Sequence, residues 1–233
     1  MAFTQFFDLN DLHFAWAAFW LNYWITGSLY PKVQSKTIKD AEISKKALFL
    51  NLAQNMLLTF SWTFVFNLLP TLYARSNTWI EYVGLYIFLF ILSEGVNYYV
   101  HRLLHHPRLY FIHKDHHKYI HSEPLAGLYV SRREMIIQSP LLVMMIYKLI
   151  GFRRIEMIVW SLFYSMHSLN SHSGVAQGVH DHSFLSEIIC FVFDDSFHAS
   201  HHCLGKVNFG FWGIFDLLHG TYRDPARVIR KYN

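Results

Sequence analysis

The sequence predicts an all-α fold in a single domain over residues 1–233, an integral membrane bundle of about four helices that carries a histidine-rich helical cap. Three observations support this prediction. Hydrophobic residues make up 53% of the 233 residues and charged residues only 15%, whereas soluble proteins carry about 25% charged residues. The hydrophobic residues gather in long stretches with few charges, which are typical of membrane helices. Fifteen of the sixteen histidines follow residue 100, and eight of these form three tight clusters.

Four segments are predicted to be membrane helices. Residues 14–30 are uncharged and rich in Trp, Phe and Tyr, which favour the membrane–water interface. Residues 47–73 and 79–100 are apolar over at least the roughly 20 residues that a spanning helix needs. Residues 135–170 contain two apolar stretches joined around residues 151–154, so they form either a spanning hairpin or a shallow re-entrant one. The cap then comprises residues 101–134 and 171–225.

The distribution of basic residues predicts the orientation of the bundle. The loop at 31–46 carries five lysines, whereas the loop at 70–78 carries only Arg75. Because basic loops stay on the cytoplasmic side, the third helix must return the chain to the cytoplasm just before His101. All three histidine clusters then lie on the cytoplasmic face. The net charge of +4 is attributed to these loops, and no nucleic-acid partner is expected.

The histidine clusters have the spacing of metal ligands. The first cluster is His101 and His105, the second is His113, His116 and His117, and the third is His198, His201 and His202. Histidines four residues apart share a helix face, while adjacent histidines point apart and can serve different metals. Neutral imidazole is a common ligand for transition metals. Eight imidazoles exceed the needs of one ion, so the pattern predicts two metals. His106, His121, His167 and His219 are interpreted as surface or packing residues.

Composition favours iron over zinc at this site. Structural zinc prefers four-ligand, cysteine-rich sites, and the two cysteines, Cys190 and Cys203, form no CxxC pair. An all-nitrogen site beside a membrane suits iron that activates dioxygen. The main alternative is a non-redox zinc membrane hydrolase. The histidines lie just outside the apolar segments, which argues against a transporter that uses them as a metal relay, and the complete set of clusters argues against an inactive scaffold.

Residues 94–225 resemble the fatty acid hydroxylase / sterol desaturase superfamily of membrane di-iron oxygenases. The stretch HRLLHHPRLYFIHKDHH matches the family pattern HRxLHxxxLYxxxHKxHH, and residues 170–174 are similar to its HSG element. The segment HASHHCLGKVNFGFWGIFDLLHGTYRDP matches HxxHH, an Asn-aromatic-Gly step, an aromatic-Asp pair and GTxxxP. Residues 131–134 depart from the family's His-Pro-x-Glu step, so no ligand role is expected there.

The resemblance implies a set of iron ligands and of carboxylates that orient them. The expected ligands are His101, His105, His113, His116, His117, His172, His180, His198, His201 and His202, with His182 as an alternative to His180. Carboxylates that hydrogen-bond to ligand imidazoles fix their orientation. The candidates for this role are Glu94, Asp115, Asp181 and Asp216.

The resemblance also implies an oxidoreductase that uses two non-haem irons, O₂ and external electrons. It would hydroxylate an unactivated C–H bond of a fatty acyl, sterol or related lipid-like substrate, and desaturation is the alternative outcome. No cytochrome-type domain or nucleotide-binding motif is visible. The electrons are therefore expected from a separate protein that is cytochrome b5-like or ferredoxin-like. The membrane would be the endoplasmic reticulum in a eukaryote or the inner membrane in a bacterium.

Overall fold

The structure, a computed structural model, describes residues 11–29, 44–71, 78–118, 124–137, 139–172, 196–225 and 228, and these residues form helices, turns and loops without a strand. The predicted all-α class is therefore confirmed for the described part of the chain. Its α-helices are α1 (Asp11–Leu29), α2 (Lys45–Asn67), α3 (Trp79–Leu104), α4 (Tyr110–His113), α5 (Arg132–Ile137), α6 (Ser139–Ile150), α7 (Arg154–Asn170), α8 (Ser196–Leu204) and α9 (Ile214–Leu218). Two 3₁₀ turns, His116–Lys118 and Pro124–Leu128, lie between α4 and α5.

The long helices fall on the predicted apolar segments but end at different residues. Helix α2 ends at Asn67 rather than at residue 73, because a proline at position 70 disfavours helical backbone in the residue before it. Helix α3 begins after Thr78, whose side chain accepts a hydrogen bond from the Glu81 amide, and it continues to Leu104. The first histidine cluster therefore starts on the last turn of this long helix, not in the cap.

Helices α2 and α3 are long and apolar enough to cross a membrane. Only 28% and 22% of their most apolar windows are buried inside the protein, whereas the core helix of a soluble protein would be mostly buried. On α3, Ile80, Val83, Ile87 and Ile91 are at least 49% exposed and recur on one helix face. Such a continuous apolar face requires an apolar environment.

The predicted number of about four spanning helices is not confirmed, because two helices among the described residues are long and apolar enough to span a membrane. Helix α6 has 12 residues and rises only about 18 Å, well short of the roughly 30 Å of hydrocarbon in a bilayer. Gly151, with φ of 76°, makes the tight turn that leads from α6 towards α7. The length of α6 favours the re-entrant alternative for this hairpin.

The bundle is held together by α1, which packs along α7 and beside α2, while α6 packs on both α2 and α3. One hydrophobic cluster, around Leu12, Phe66 and Phe152, lies at the end of the bundle remote from the histidines. A second cluster, around Tyr23 and Leu52, underlies the histidine region.

The cap is anchored to the bundle by buried polar side chains. The Tyr23 hydroxyl accepts a hydrogen bond from the Leu128 amide at 3.0 Å, and the Asn55 side chain donates to the carbonyls of Leu128 and Val130 at 3.2 Å. A Cβ at Gly27 would lie 2.5 Å from Leu125, so glycine permits the close approach of α1. These contacts bring the end of α1 and the start of α2 to the same end of the bundle as the histidine clusters.

Candidate metal centre

Nine of the ten predicted ligand histidines come together in two groups. The five-histidine group consists of His101, His105, His113, His117 and His201, and the four-histidine group consists of His116, His172, His198 and His202. Within each group, every member offers a ring nitrogen that lies within 4.8 Å of the others. The tenth predicted ligand, His180, lies outside the described residues, as do its alternative His182 and the candidate carboxylate Asp181.

Local helix geometry divides two clusters between the two groups. On α8, His198 and His202 are four residues apart and lie on the same face, so both join the four-histidine group. Their neighbour His201 points about 100° away around the helix and joins the five-histidine group. His116 and His117 separate in the same way, as expected of adjacent histidines.

The distances within the five-histidine group fit a shared cation better than hydrogen bonds. The Nε2 atom of His117 lies 2.9 Å from Nε2 of His113, 3.0 Å from that of His105 and 3.3 Å from that of His201. An imidazole nitrogen has one proton or one lone pair, so it cannot hydrogen-bond to three neighbours. A metal about 2.1 Å from each nitrogen would separate ligands at right angles by about 3.0 Å. The observed spacing therefore suits a metal ion.

The four-histidine group has the same spacing. The Nε2 atom of His202 lies 3.0 Å from that of His198 and 3.1 Å from that of His116. The Nε2 atom of His172 lies 3.3 Å from that of His116. His172 was predicted from the HSG element rather than from a histidine cluster. Its Nε2 atom nevertheless lies at the same spacing as the other nitrogens of its group.

Hydrogen bonds behind the rings orient the Nε2 atoms of three histidines of the two groups. His101 donates from Nδ1 to the Phe209 carbonyl at 2.7 Å, and His201 donates from Nδ1 to the Val207 carbonyl at 2.6 Å. His172 donates from Nδ1 to the Ser168 carbonyl at 2.9 Å. Because a carbonyl can only accept, these rings carry their proton on Nδ1 and direct the Nε2 lone pair into the group, which is the tautomer that binds a metal.

Burial keeps the imidazoles neutral. Desolvation, followed by the neighbouring imidazoles, lowers the pKa of His117 to about 2, and desolvation lowers the pKa of His172 to about 4. The pKa values of His116, His198 and His202 lie well below the ordinary value for the same reasons. All five rings are thus neutral at pH 7 and keep a free nitrogen lone pair, as metal binding requires.

Two of the predicted carboxylates hold a loop instead of an imidazole. Glu94 accepts hydrogen bonds from the amides of Phe211, Trp212 and Ile214 at 2.7–3.2 Å. Asp216 accepts from the amides of Phe209 and Gly210 at 2.9 and 2.7 Å. Together they fix the loop at 209–214, whose Phe209 carbonyl in turn orients His101. Glu94 and Asp216 therefore act on His101 through this loop, and not by the direct hydrogen bond to an imidazole that was expected.

The third described candidate, Asp115, forms a surface ion pair. Its carboxylate lies 2.5 Å from the Lys118 ammonium, and both side chains are at least one-third exposed. Within the described part of the chain, Asp115 has no hydrogen bond to a ligand imidazole. We expected it to orient a ligand, and the structure gives it this local pairing instead.

Glu134 takes the role that was expected of these carboxylates. It is fully buried, and its Oε1 accepts a hydrogen bond from His113 Nδ1 at 2.5 Å. No ligand role was expected at residues 131–134, and Glu134 acts through His113 rather than as a ligand. The pattern Ser131-x-x-Glu134 was a usable signal, because it marks a helix start. The Glu134 amide donates to Ser131 Oγ, and that hydroxyl donates to the Ile112 carbonyl beside His113.

The two groups face a common small cavity. It has a volume of about 30 Å³, and its lining includes His101 from the five-histidine group and His116, His172 and His198 from the four-histidine group. A cavity of about 10–15 Å³ is already enough for one water molecule. The cavity thus has room for a small molecule between the groups.

Histidines outside the two groups differ in exposure. His106 and His219 are exposed, as expected of surface residues, and His121 lies outside the described residues. His167 is buried and packs against Phe211, which agrees with its interpretation as a packing residue. It belongs to neither histidine group.

Comparison with known proteins relates this chain to lipid-modifying enzymes. Residues 86–221 match the family model for fatty acid hydroxylase. The chain is 29% identical over 132 residues to human fatty acid hydroxylase domain-containing protein 2. The matched region covers 56% of the chain and 36% of the relative. It is 30% identical over 149 residues to the Delta(7)-sterol 5(6)-desaturase of Saccharomyces cerevisiae. Here the matched region covers 63% of the chain and 37% of the relative.

A third relative is the fatty acid hydroxylase ahd1 of Mycosarcoma maydis, which is 32% identical over 137 residues, covering 56% of the chain and 32% of the relative. The chain thus spans about a third of the length of the curated relatives that it matches. No solved structure matches the chain. The family match covers more than half of the chain and includes all nine histidines of the two groups, and the chain therefore belongs to the fatty acid hydroxylase family.

Proposed function

We propose that this chain is a membrane-bound di-iron oxygenase that hydroxylates an unactivated C–H bond of a fatty acyl, sterol or related lipid-like substrate. The observation that carries the proposal is the pair of all-histidine groups that face one small cavity, in a chain of the fatty acid hydroxylase family. The proposed ligands are the nine histidines of the two groups, together with His180 or His182.

The donor set of the five-histidine group supports iron. Structural zinc takes four ligands and favours thiolates, whereas the five-histidine group offers five imidazoles and no sulfur. Imidazole nitrogen is a suitable ligand for iron. Two irons bound here would supply the reduction and cleavage of dioxygen, with one oxygen atom passing to the substrate and the other leaving as water. The reaction consumes two electrons and two protons, and we propose a separate cytochrome b5-like or ferredoxin-like protein as the electron donor.

The protein's own residues hold the reacting groups and exclude water. The carbonyls of Phe209, Val207 and Ser168 keep three ligand rings in the metal-binding tautomer. Leu128, Tyr164 and Phe211 line the cavity beside the histidines, so the face towards the bundle is largely apolar. Such a wall would help to keep bulk water away from the reacting groups.

The substrate would reach this cavity from the membrane. The exposed apolar faces of α2 and α3 support insertion into a bilayer. The lysine-rich segment 31–46 lies between α1 and α2 in the sequence, and the end of α1 and the start of α2 lie at the histidine end of the bundle. By the positive-inside rule this supports an active site on the cytoplasmic face.

Desaturation is the second candidate, because one relative is named a Delta(7)-sterol 5(6)-desaturase. Removal of a second hydrogen from the adjacent carbon would then give a double bond, and both oxygen atoms would leave as water. The same histidines serve both reactions, and only the position of the substrate decides between them.

An oxygen-isotope experiment tests the proposal. Iron-loaded protein in lipid nanodiscs would be incubated with a reductase system, a mixed extract of fatty acyl lipids and sterols, and ¹⁸O₂. We expect a lipid product that contains one ¹⁸O atom, or, for desaturation, a product two hydrogens lighter without label. Both products should be absent with His202→Ala and present with the exposed control His219→Ala. A lipid product that forms equally without O₂ would overturn the proposal and favour a zinc hydrolase.

A further inference from the structure

His167 is a buried imidazole that the proposed metal centre does not use. It lies on α7, five residues before His172, and is only 3% exposed. Its ring packs edge-on against Phe211, with centroids 4.7 Å apart, and tilts against Trp212 at 5.1 Å. Neither Nδ1 nor Nε2 has a hydrogen-bond partner among the described residues.

Unmet hydrogen-bonding capacity recurs along the same side of α7. Trp160 lies two helical turns before His167, and Asn170 lies one turn after it, so the three share a helix face. The Trp160 Nε1 and Asn170 Oδ1 atoms are also buried without a partner in the described part of the chain. Buried polar groups in folded proteins nearly always have partners. This face of α7 could therefore form hydrogen bonds with a polar group of a bound molecule.

The Phe211 ring lies between His167 and the small cavity that the histidine groups line. Phe211, which contacts His167, also lines that cavity with His116 and His172. The amides of Phe211 and Trp212 are held by Glu94. The aromatic pair thus gives His167 a fixed position relative to the metal centre.

We propose that His167 positions the substrate by a hydrogen bond between its imidazole and a hydroxyl or carbonyl oxygen of an amphiphilic lipid. This inference rests on the proposed function, and it makes the substrate a lipid with a polar oxygen close to the carbon that is oxidised. Neutral imidazole offers one donor and one acceptor, so it can pair with either oxygen. A pure hydrocarbon would leave both nitrogens unpaired.

Two probes that differ by a single oxygen test the proposal. Binding of 1-octadecanol and of octadecane would be measured on the detergent-solubilised full chain. We expect the native protein to prefer the alcohol by about 3- to 10-fold, the usual value of one hydrogen bond. His167→Phe should abolish this preference, and His167→Gln, which keeps a donor and an acceptor, should retain part of it. His13→Phe, which removes a buried histidine of α1, should leave the preference unchanged.

Thermal unfolding and iron content separate this role from a structural one. Without lipid, His167→Phe should unfold at the same or a higher temperature than the native protein, because it removes an unsatisfied buried group. A lower unfolding temperature with equal loss of both probes would overturn the proposal, as would loss of iron in His167→Phe. No preference for the alcohol in the native protein would also overturn it. Absence of iron from the native protein, with the alcohol preference intact, would instead contradict only the proposed function.

Discussion

Glu134 Oε1 accepts a hydrogen bond from His113 Nδ1 at 2.5 Å, and both side chains are fully buried. The contact joins α5 to α4, and it orients one member of the five-histidine group. Burial raises the pKa of Glu134 well above its ordinary value, so its anionic form requires a nearby positive charge. A cation held through His113 would supply that charge.

Glu134→Ala should weaken metal binding at the five-histidine group by about 10- to 100-fold, because the orienting acceptor of His113 is lost. Competition with a chelator, followed by measurement of the metal that remains, would report this change. Asp115→Ala is the matched control, because Asp115 forms a surface ion pair with Lys118. Equal metal affinity in the native protein and Glu134→Ala would contradict the role of Glu134.

Glu94→Ala should destabilise the protein by about 3 kcal/mol, because three backbone amides lose their side-chain acceptor inside the protein. Limited proteolysis should detect cleavage in the loop at 209–214 before global unfolding. Asp216 holds the neighbouring amides, so part of the loop should stay ordered. A variant as stable and as protease-resistant as the native protein would show that the loop does not depend on this carboxylate.

Gly210→Ala should lower stability by about 2 kcal/mol, the usual cost of overpacking. An added Cβ would clash with Glu94 and lie 3.0 Å from Asp216 Oδ2, so the two carboxylates that fix the loop would have to move. Gly84→Ala on α3 is the control, because no atom lies within 4 Å of its added Cβ. Differential scanning fluorimetry in detergent should give a lower Tm for Gly210→Ala and an unchanged or higher one for Gly84→Ala.

The metal-free protein should lose stability as the pH falls from about 6.5 towards 4. Burial lowers the pKa of His105 and His172 from the ordinary 6.5 to about 4, so the folded protein binds fewer protons than the unfolded chain in this interval. Their stabilising contribution is fully present above about pH 6.5 and declines as the pH drops through the interval. Tm measured on chelator-treated protein should fall between pH 7 and 5. A Tm that is constant or rises on acidification would contradict the burial of neutral imidazoles.

Local spacing was sufficient to predict eight of the nine histidines that meet, whereas His172 came from the family resemblance. The four-residue separation of His198 and His202 places them on one helix face without any tertiary information. It was not sufficient for the carboxylates, because their partners are distant in sequence. Glu94 contacts amides more than 115 residues further along the chain, and no local pattern reports such a contact. The division of His101 and His116 between two groups likewise depends on how the cap folds back on α3.

Helix type was predictable from composition, whereas helix length was not. The apolar run at 47–73 includes residues beyond Asn67, where the proline at position 70 terminates α2. Conversely, α3 continues through His101 because nothing at residues 101–104 interrupts helical geometry. The extra turn places His101 and His105 on one face of α3, close to the other three histidines of their group.

Metal content of the detergent-purified protein tests the central claim most directly. Elemental analysis would compare the native chain with His201→Ala, His202→Ala and the exposed control His219→Ala. Because His201 and His202 belong to different groups, we expect close to two irons per chain in the native protein and the control, and a loss of about one iron in each of the other variants. Stoichiometric zinc under iron-replete expression, unaffected by iron supply, would contradict the di-iron account.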